Sequence, residues 1–366
     1  MIIKKDLNQL EEIPPPVTEV GIIGWFKANL FNTPFNSILT ILVLACCFKI
    51  IPAFVSWAFL DSVWYGPPSL CHEADGACWS YIPANFRFVI FGLFPAEEQW
   101  RALAAMILMV GAVVYSRKRH RWNKNLIYVW VVSIAGVAVL IKGGVLGLVP
   151  VESTKWGGLL LTLLLSVTGM AAAYPLGVAL ALGRRSKLAV IRSLTVVYIE
   201  LIRGVPLISL LFMSAVMFPL FMPEGVTINK IFRAQTAIIL FTAAYIAEVV
   251  RGGLQAIPRG QYEAAESLGL TYFQTMRLVI LPQALKIVIP PTVGVLVTAF
   301  KDTSLVAIIA LYDLLRTSQS TLSDPRWMPF STEAYIFVAL IYFVFCYAMA
   351  SYSRKLEKEL TPGEGC

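Results

Sequence analysis

Charged residues are scarce in this sequence, and histidine is almost absent. Of the 366 residues, 14% are charged and 58% are hydrophobic, whereas a soluble domain averages about 25% charged residues. This balance excludes an ordinary soluble domain and indicates a protein with several spans in contact with membrane lipid. The net charge of +8 does not indicate nucleic-acid binding, because the basic residues form short runs beside apolar segments, as the positive-inside rule expects.

Missing motifs exclude several classes of enzyme. No GxxxxGK[ST] phosphate-binding loop occurs, so we expect no ATP hydrolysis by this chain alone. HExxH and GxSxG strings are also absent, which leaves membrane-protease and lipase interpretations without support. The two histidines, His72 and His120, lie in polar stretches and cannot hold a haem between spans. We therefore predict no catalytic residue, no bound cofactor and no metal site.

The polar stretch from Ile257 to Gln283 lies between two long apolar runs and has the length of two short helices. Pro258 suits the first turn of a helix that continues to Leu268. Gly269 can adopt the left-handed conformation that closes such a helix, because it has no β-carbon. This stretch therefore predicts a helical hairpin that projects from the membrane.

The second helix of the hairpin has its own start signal. Thr271 and Gln274 have the spacing of a capping box, so we expect this helix to begin at once and to reach about Leu281. Pro282 is predicted to start a new segment, because proline cannot donate a hydrogen bond within a helix.

The hairpin also carries a recognisable string. Glu263-Ala264-Ala265, Gly269 and Leu281-Pro282 have the spacing EAAxxxG(x)9IxLP, with Val279 in place of Ile. This pattern resembles the cytoplasmic coupling loop of membrane subunits of bacterial ABC importers. The resemblance implies that these six residues dock in a groove of an ATPase subunit and carry its motion to the spans. A capped surface hairpin without a partner is the alternative, since Glu-Ala-Ala is common in helices.

Two further strings narrow the resemblance to permeases of the polar amino-acid type. Tyr198 to Leu207 is similar to the YxELxRGxPL motif of that family, and Lys301 to Leu305 reads KDTSL. The resemblance covers the chain from Trp156 onward. It implies an all-α integral membrane protein with a five-helix importer core.

Apolar runs and basic clusters together predict eight spans with both termini in the cytoplasm. Three spans precede the core and show no repeat of it. The predicted parts are a cytoplasmic arm at 1–35, an added three-span module at 36–150 with an outside loop at 61–100, a core at 156–352 with the coupling hairpin at 257–283, and a cytoplasmic tail at 353–366.

Three stretches of the core depart from simple spans. Ile191 to Phe221 is overlong, so we expect a surface segment that leads into a span. Ile287 to Leu315 is overlong too, and its prolines at 290 and 291 with Gly294 predict a kinked helix with a tilted or unwound part. Thr317 to Ser331 is predicted to be an outside turn.

The loop at 61–100 resembles one particular subunit type. Asp75 to Trp79 reads DGACW, and Phe86-Arg87-Phe88, Phe94-Pro95 and Trp100-Arg101 follow. This stretch is similar to the larger, M-type permease of general L-amino-acid importers, which pairs with a second, Q-type permease. Cys71 and Cys78 lie in the same loop and are a candidate disulfide, although spacing alone leaves free thiols open.

Ionisable residues within apolar runs indicate a transport path or an ion pair, because a charge in lipid is costly. Glu200 and Arg203 are three residues apart and so share a helix face. Asp302, with Thr303 and Ser304 beside it, lies near the middle of the 287–315 run. Such groups suit the ammonium and carboxylate of an amino acid. A structural role, with Glu200 paired to Arg203 and Lys301 to Asp302, remains equally open.

Taken together, these features predict a permease subunit of an ATP-driven importer that moves a broad range of L-amino acids from periplasm to cytoplasm. The resemblance implies as partners cytoplasmic ATPase subunits that bind ATP and Mg, a second permease, and a periplasmic binding protein, at the bacterial inner membrane. An ion-coupled secondary transporter is the alternative, and it predicts an inverted repeat that the sequence does not show.

Overall fold

A computed structural model of the chain describes residues 21–145 and 147–360. The beginning of the predicted arm at 1–35 and the end of the predicted tail at 353–366 lie outside the described residues. The described part is helical, with two isolated β-bridges and no strand. It forms two compact units, with the boundary between Trp79 and Ser80. This boundary separates two compact parts of the chain and does not correspond to the predicted boundary between the modules at 36–150 and 156–352. Those modules therefore remain a prediction.

The first unit contains one long apolar helix and a closed outer segment. Thr33 caps the long helix, because its hydroxyl accepts a hydrogen bond from the Asn36 N–H at 3.2 Å. The helix then continues as π-helical turns from Ser56 to Leu60. The helices of this unit are α1 (Gly21–Asn29), α2 (Pro34–Val55) and α3 (Pro68–Glu73).

Cys71 and Cys78 are joined in a disulfide, which decides between the two alternatives left open by the sequence. The Trp79 Nε1–H donates to the Ala58 carbonyl at 2.7 Å, and Val63 pairs with Cys78 in a β-bridge. These contacts close the segment after α2 onto the end of that helix. The segment that follows α2 is therefore a small structured cap.

The second unit begins with helices that precede the core: α4 (Tyr81–Phe91), α5 (Gln99–Ser116) and α6 (Lys124–Lys142). The core helices are α7 (Gly158–Arg184), α8 (Ala189–Gly204), α9 (Leu207–Phe212), α10 (Phe218–Leu220), α11 (Lys230–Ala256), α12 (Arg259–Ser267), α13 (Tyr272–Gln274), α14 (Leu281–Asp302), α15 (Leu314–Thr321) and α16 (Ser331–Leu360). One side of α4 packs Val89 and Ile90 into the core.

Helices α7 and α11 form the centre of the core. Glycine permits their close approach, because a β-carbon at Gly177 would lie 2.6 Å from Ile246 Cγ2. Small residues commonly allow such contacts between spans. Around this pair, Val250, Leu254 and Ile280 belong to one buried cluster that reaches the hairpin.

Seven described helices are long and apolar enough to cross a membrane, and an eighth span results if α8 and the segment Leu207–Leu220 count as one. That pair is bent by 103°, which agrees with the prediction of a surface segment leading into a span. Three of the candidate spans precede residue 150 and the rest follow it. The predicted eight-span, all-α fold is confirmed on this count.

The new segment predicted at Pro282 begins there, because Pro282 lies in the first turn of α14, but it follows the preceding turns without a gap. The helical path runs from Tyr272 to Ile309, with π-helical turns at Thr275–Ile280 directly before α14. Wider turns accommodate a proline ring and its missing N–H, which would otherwise clash with the preceding turn. The prolines at 290 and 291 also lie inside the continuous α14, and the irregular part is a 3-10 segment at Thr303–Ile309 instead.

The predicted outside turn at 317–331 is only partly correct, because α15 occupies its first five residues. Asp313 caps this helix and explains the difference. Its carboxylate accepts hydrogen bonds from the N–H groups of Leu315 at 3.1 Å and Arg316 at 3.0 Å. An aspartate before a short amphipathic stretch is a helix-start signal.

Candidate functional site

The hairpin between α11 and α14 has the predicted helix–turn–helix form. Gly269 ends α12 with a φ of +73°, and its N–H donates to the Glu266 carbonyl at 2.9 Å. Thr271 and Gln274 form the predicted capping box: the Thr271 N–H donates to Gln274 Oε1 at 2.9 Å and the Gln274 N–H donates to Thr271 Oγ1 at 3.4 Å. Local sequence signals therefore fix the shape of the hairpin.

One side of the hairpin is anchored in the core. Ala265 is 2% exposed, and Met276 and Ile280 join the buried cluster around the ends of α7 and α11. Between the two arms, Gln283 Nε2 donates to Gln261 Oε1 at 3.0 Å. The hairpin is thus fixed to the core and has little freedom to move without it.

The other side of the hairpin is exposed. Glu263, Ala264 and Glu266 face outward, as does Pro282, whereas Leu281 is half-buried. Four large apolar side chains of the hairpin are exposed as well, namely Leu268, Tyr272, Phe273 and Leu278. Several exposed large apolar side chains on one short hairpin are typical of a site for a protein partner.

A cavity of about 440 Å³ lies at the base of the hairpin. Its walls include Arg185 at the end of α7, Leu254 and Gln255 near the end of α11, and the first turns of α12. Arg185 Nη1 donates to the Leu254 carbonyl at 3.1 Å and to the Tyr262 hydroxyl at 2.9 Å. One arginine therefore links three helices where the hairpin meets the spans.

A network of charges lies between α7, α8 and α11. Arg184 pairs with Glu200 at 2.9 Å and with Glu248 at 2.8 Å, while Arg203 lies 3.6 Å from Glu248. Arg251 also pairs with Glu248 at 2.8 Å. A pair between Glu200 and Arg203 was one of the two roles left open by the sequence, and in the structure each instead has a described partner on another helix. A shared helix face permits a local pair but does not outweigh partners across the bundle.

The candidates near Asp302 lie elsewhere in the core. The Thr303 hydroxyl donates to the Phe300 carbonyl at 2.7 Å and the Ser304 hydroxyl donates to the Lys301 carbonyl at 2.8 Å. Asp302 itself is half-buried. Asp302, Thr303 and Ser304 lie together only because they are consecutive in sequence. The hydroxyl hydrogens of Thr303 and Ser304 are both donated to backbone carbonyl groups close by in the chain.

The two groups of candidate pathway residues are far apart. Phe300, beside Asp302, packs in a cluster with Leu160 and Leu163 of α7, whereas Glu200 pairs with Arg184 at the opposite end of the same helix. At about 1.5 Å of rise per residue, these levels of α7 are about 30 Å apart. The structure therefore does not combine Glu200 and Arg203 with Asp302 in one binding site.

Sequence reasoning missed a buried polar cluster around Asp313. The residue is fully buried, the Tyr342 hydroxyl lies 3.5 Å from its Oδ2, and the Leu314 N–H donates to Thr162 Oγ1 at 3.0 Å. Burial raises the pKa of Asp313 to about 6, although two backbone N–H groups partly offset this effect. The helix-start signal at Asp313 was available in the sequence, but its tertiary partners were not.

Comparison with known proteins gives a family match over the second half of the chain. Residues 173–361 match the family described as binding-protein-dependent transport system inner membrane component. The match includes the hairpin, the charge network and Asp302. It begins after the first turns of α7.

Two relatives extend over nearly the whole chain. The inner membrane amino-acid ABC transporter permease protein YhdY of Escherichia coli is 48% identical over 93% of both chains. The glutamate/glutamine/aspartate/asparagine transport system permease protein BztC of Rhodobacter capsulatus is 37% identical over 95% of both chains. Similarity therefore includes the helices that precede the core.

A solved structure resembles part of the chain. The crystal structure of an amino acid ABC transporter with histidines aligns with a TM-score of 0.50 and 32% identity. It covers 55% of this chain and 92% of the solved one. The shared fold thus accounts for about half of the chain, as a five-helix core would.

Proposed function

The chain belongs to the family of binding-protein-dependent transport system inner membrane components, and on that premise we propose that it is the permease subunit of an ATP-driven importer of L-amino acids. Both relatives reported above carry names of amino-acid permeases. The first name gives amino acids in general and the second gives four of them, which supports more than one amino acid as substrate. A broad range of L-amino acids and movement from periplasm to cytoplasm are parts of the same proposal. Both relatives are ABC permeases, so they give no support to the alternative of an ion-coupled transporter.

The hairpin carries this proposal. It is fixed to the core through Ala265, it presents Glu263 and Ala264 to solvent, and it also exposes Leu268 and Phe273. We assign Glu263, Ala264, Ala265, Gly269, Leu281 and Pro282 to ATPase coupling. A groove on a cytoplasmic ATPase covers the exposed side, and that subunit binds ATP and Mg. This chain contributes no catalytic group.

The charge network is well placed to transmit the motion of the ATPase from the hairpin to the spans. Glu248 connects α11 to α7 and α8 just before the hairpin begins. A displacement of the hairpin therefore reaches three helices through Arg184 and Arg203. Glu200 and Arg203 act here as links between helices at the inner end of the path.

Asp302 remains the proposed acceptor for a substrate ammonium. It is half-buried in a span beside Lys301, whose positive charge interacts with it, and a carboxylate in a span favours a functional role. Because their hydroxyl hydrogens are used, Thr303 and Ser304 can offer substrate only their oxygen lone pairs.

Subunit composition and orientation follow from the same proposal. The resemblance of the loop at 61–100 to M-type permeases supports a heterodimer with a second, Q-type permease and contact with a periplasmic binding protein. The disulfide between Cys71 and Cys78 suits the oxidising periplasm. This orientation in the inner membrane places both termini and the hairpin in the cytoplasm.

Affinity purification of the tagged chain from its native membrane in mild detergent tests the proposal. An ATPase subunit and a second permease are expected to co-purify with the chain, and Glu263→Arg is expected to keep these partners while uncoupling ATP hydrolysis from uptake. Purification of the chain alone would contradict the proposed assembly.

A further inference from the structure

Lys49 places a positive charge inside the long apolar helix α2. It is the one charged side chain of that helix, and none of the residues of α2 is buried. Lys49 is itself exposed, and no carboxylate of residues 21–145 and 147–360 forms an ion pair with it. A charge in a membrane span is costly, so such a residue indicates a function and a partner.

The depth of Lys49 follows from an aromatic cluster at the end of α2 that carries the disulfide-bonded cap. The Trp57 and Trp79 rings are 6.1 Å apart, and the Trp64 and Trp79 rings are 6.0 Å apart. Clustered tryptophans are typical of the membrane interface. Lys49 precedes Trp57 by eight residues, or about 12 Å along the helix. The hydrocarbon core of a bilayer is about 30 Å thick, so Lys49 lies near its centre.

The lysine stem does not bring this charge to water. Side chains on a helix lean toward its first residue, so Lys49 leans away from Trp57 and toward Pro34. Pro34 is fifteen residues away, or about 22 Å along the helix. A flexible four-carbon stem covers only about a third of that distance. The ammonium group therefore requires an acceptor within the membrane.

The face of α2 around Lys49 differs from the opposite face. Ala45 and Ala53 lie one turn before and one turn after Lys49 on its own face. Ile51 and Phe54 lie on the opposite face, and both are exposed. Small residues let the backbone of another helix approach closely, whereas large apolar side chains suit lipid. The charge is therefore on the side of α2 that a second helix can approach.

From this position we propose that the Lys49 face of α2 docks a transmembrane helix of a different membrane subunit, which presents an aspartate or glutamate at the level of Lys49. The carboxylate accepts hydrogen bonds from the Lys49 ammonium group and offsets its charge. A second copy of this chain does not fit, because parallel copies of α2 would bring two ammonium groups together. The inference requires only that α2 spans the membrane, and it is independent of the proposed substrate.

Photo-cross-linking in the native membrane tests this contact. p-Benzoyl-L-phenylalanine replaces either Leu42, two turns from Lys49 on the same face, or Leu44 on the opposite face. The two leucines are a matched pair, because their exposed fractions are 57% and 58%. Mass spectrometry of the adducts from position 42 is expected to identify a transmembrane peptide of another subunit with Asp or Glu in its span. Adducts from position 44 are expected to be with lipid.

Exchange of the two charges tests whether the contact is ionic. Lys49→Glu places two carboxylates together and is expected to lower the yield of the position-42 adduct about tenfold. Lysine in place of the partner's acidic residue is expected to restore the yield in the Lys49→Glu chain. Lys49→Arg keeps the charge and is expected to keep the yield. Unchanged lipid adducts from position 44 show that each variant is still inserted in the membrane.

Several results would overturn the inference. Adducts from position 42 could form with lipid alone, with the same chain or with a second copy of it. The cross-linked partner peptide could lack a carboxylate, or the exchanged charges could fail to restore the yield. Loss of amino-acid uptake with these adducts intact would instead contradict the proposed function and leave the docking of α2 in place.

Discussion

Arg184 Nη1 donates a hydrogen bond to Glu248 Oε1 at 2.8 Å and thereby joins two spans that are 64 residues apart. The Glu248 carboxylate also faces the guanidinium groups of Arg203 and Arg251. One carboxylate therefore contacts three guanidinium groups where the core meets the hairpin, and Glu200 also pairs with one of them.

Replacement of this carboxylate is expected to destabilise the core. Glu248→Ala leaves three guanidinium groups without their shared acceptor, and we expect a loss of about 2 kcal/mol in the free energy of unfolding. The value is below that of a fully buried pair, because the arginines keep partial contact with water. Denaturant unfolding in detergent measures it. Glu266→Ala, an exposed change outside the network, is the control, and an equal effect of both variants would contradict the role of Glu248.

Gly269 is expected to matter for its backbone conformation alone. Its φ is +73° and no atom lies within 4 Å of the place of a β-carbon, so Gly269→Ala introduces strain of about 1 kcal/mol without a clash. We expect weaker coupling of ATP hydrolysis to uptake. Gly260→Ala is the matched control, since Gly260 is helical with equally open space. Equal coupling ratios in both variants would argue against a required turn.

Asp313 predicts a dependence of stability on pH. Burial raises its pKa from 3.8 to about 6, so the folded state binds the proton more tightly than the unfolded state. The carboxyl group therefore favours folding below about pH 4, and this contribution is lost as the pH rises through 6, by roughly 3 kcal/mol.

Asp313→Asn removes this ionisation and one acceptor oxygen. We expect the melting temperature of the variant, relative to the unsubstituted protein, to rise between pH 4.5 and 7. Asp324→Asn is the control, because a hydrogen bond from Arg326 lowers the pKa of that exposed carboxyl group and keeps it ionised over this range. A constant difference for Asp313→Asn at all pH values would contradict the assignment.

Asp302 is expected to contribute to substrate affinity. Asp302→Ala removes a charged acceptor and should lower uptake at subsaturating amino acid about tenfold with the complex intact. Thr298→Ala, one helical turn earlier on α14 with its hydroxyl bonded to the Gly294 carbonyl, controls for changes to the helix. If the unsubstituted protein, Asp302→Ala and Thr298→Ala had the same transport kinetics, Asp302 would have no role in substrate binding.

Local signals in the sequence predicted local structure well. Gly269, Thr271 and Gln274 determine the hairpin because each acts on backbone groups within a few residues. Apolar length likewise predicted the spans. The partners of Glu200, Arg203 and Asp313 could not be predicted from the sequence. These contacts depend on which helices become neighbours in the folded protein. Pro282 correctly marked the start of α14, but the sequence did not show that π-helical turns join α14 directly to the preceding helix.

ATP-dependent uptake by the reconstituted complex tests the central claim most directly. Proteoliposomes that contain this chain, its co-purified partners and a binding protein are supplied with radiolabelled L-amino acids, with or without ATP in the lumen. The account predicts uptake only with ATP, and a Glu263→Arg complex that still hydrolyses ATP but imports little. Uptake driven by an ion gradient without ATP, or normal import by Glu263→Arg, would contradict it.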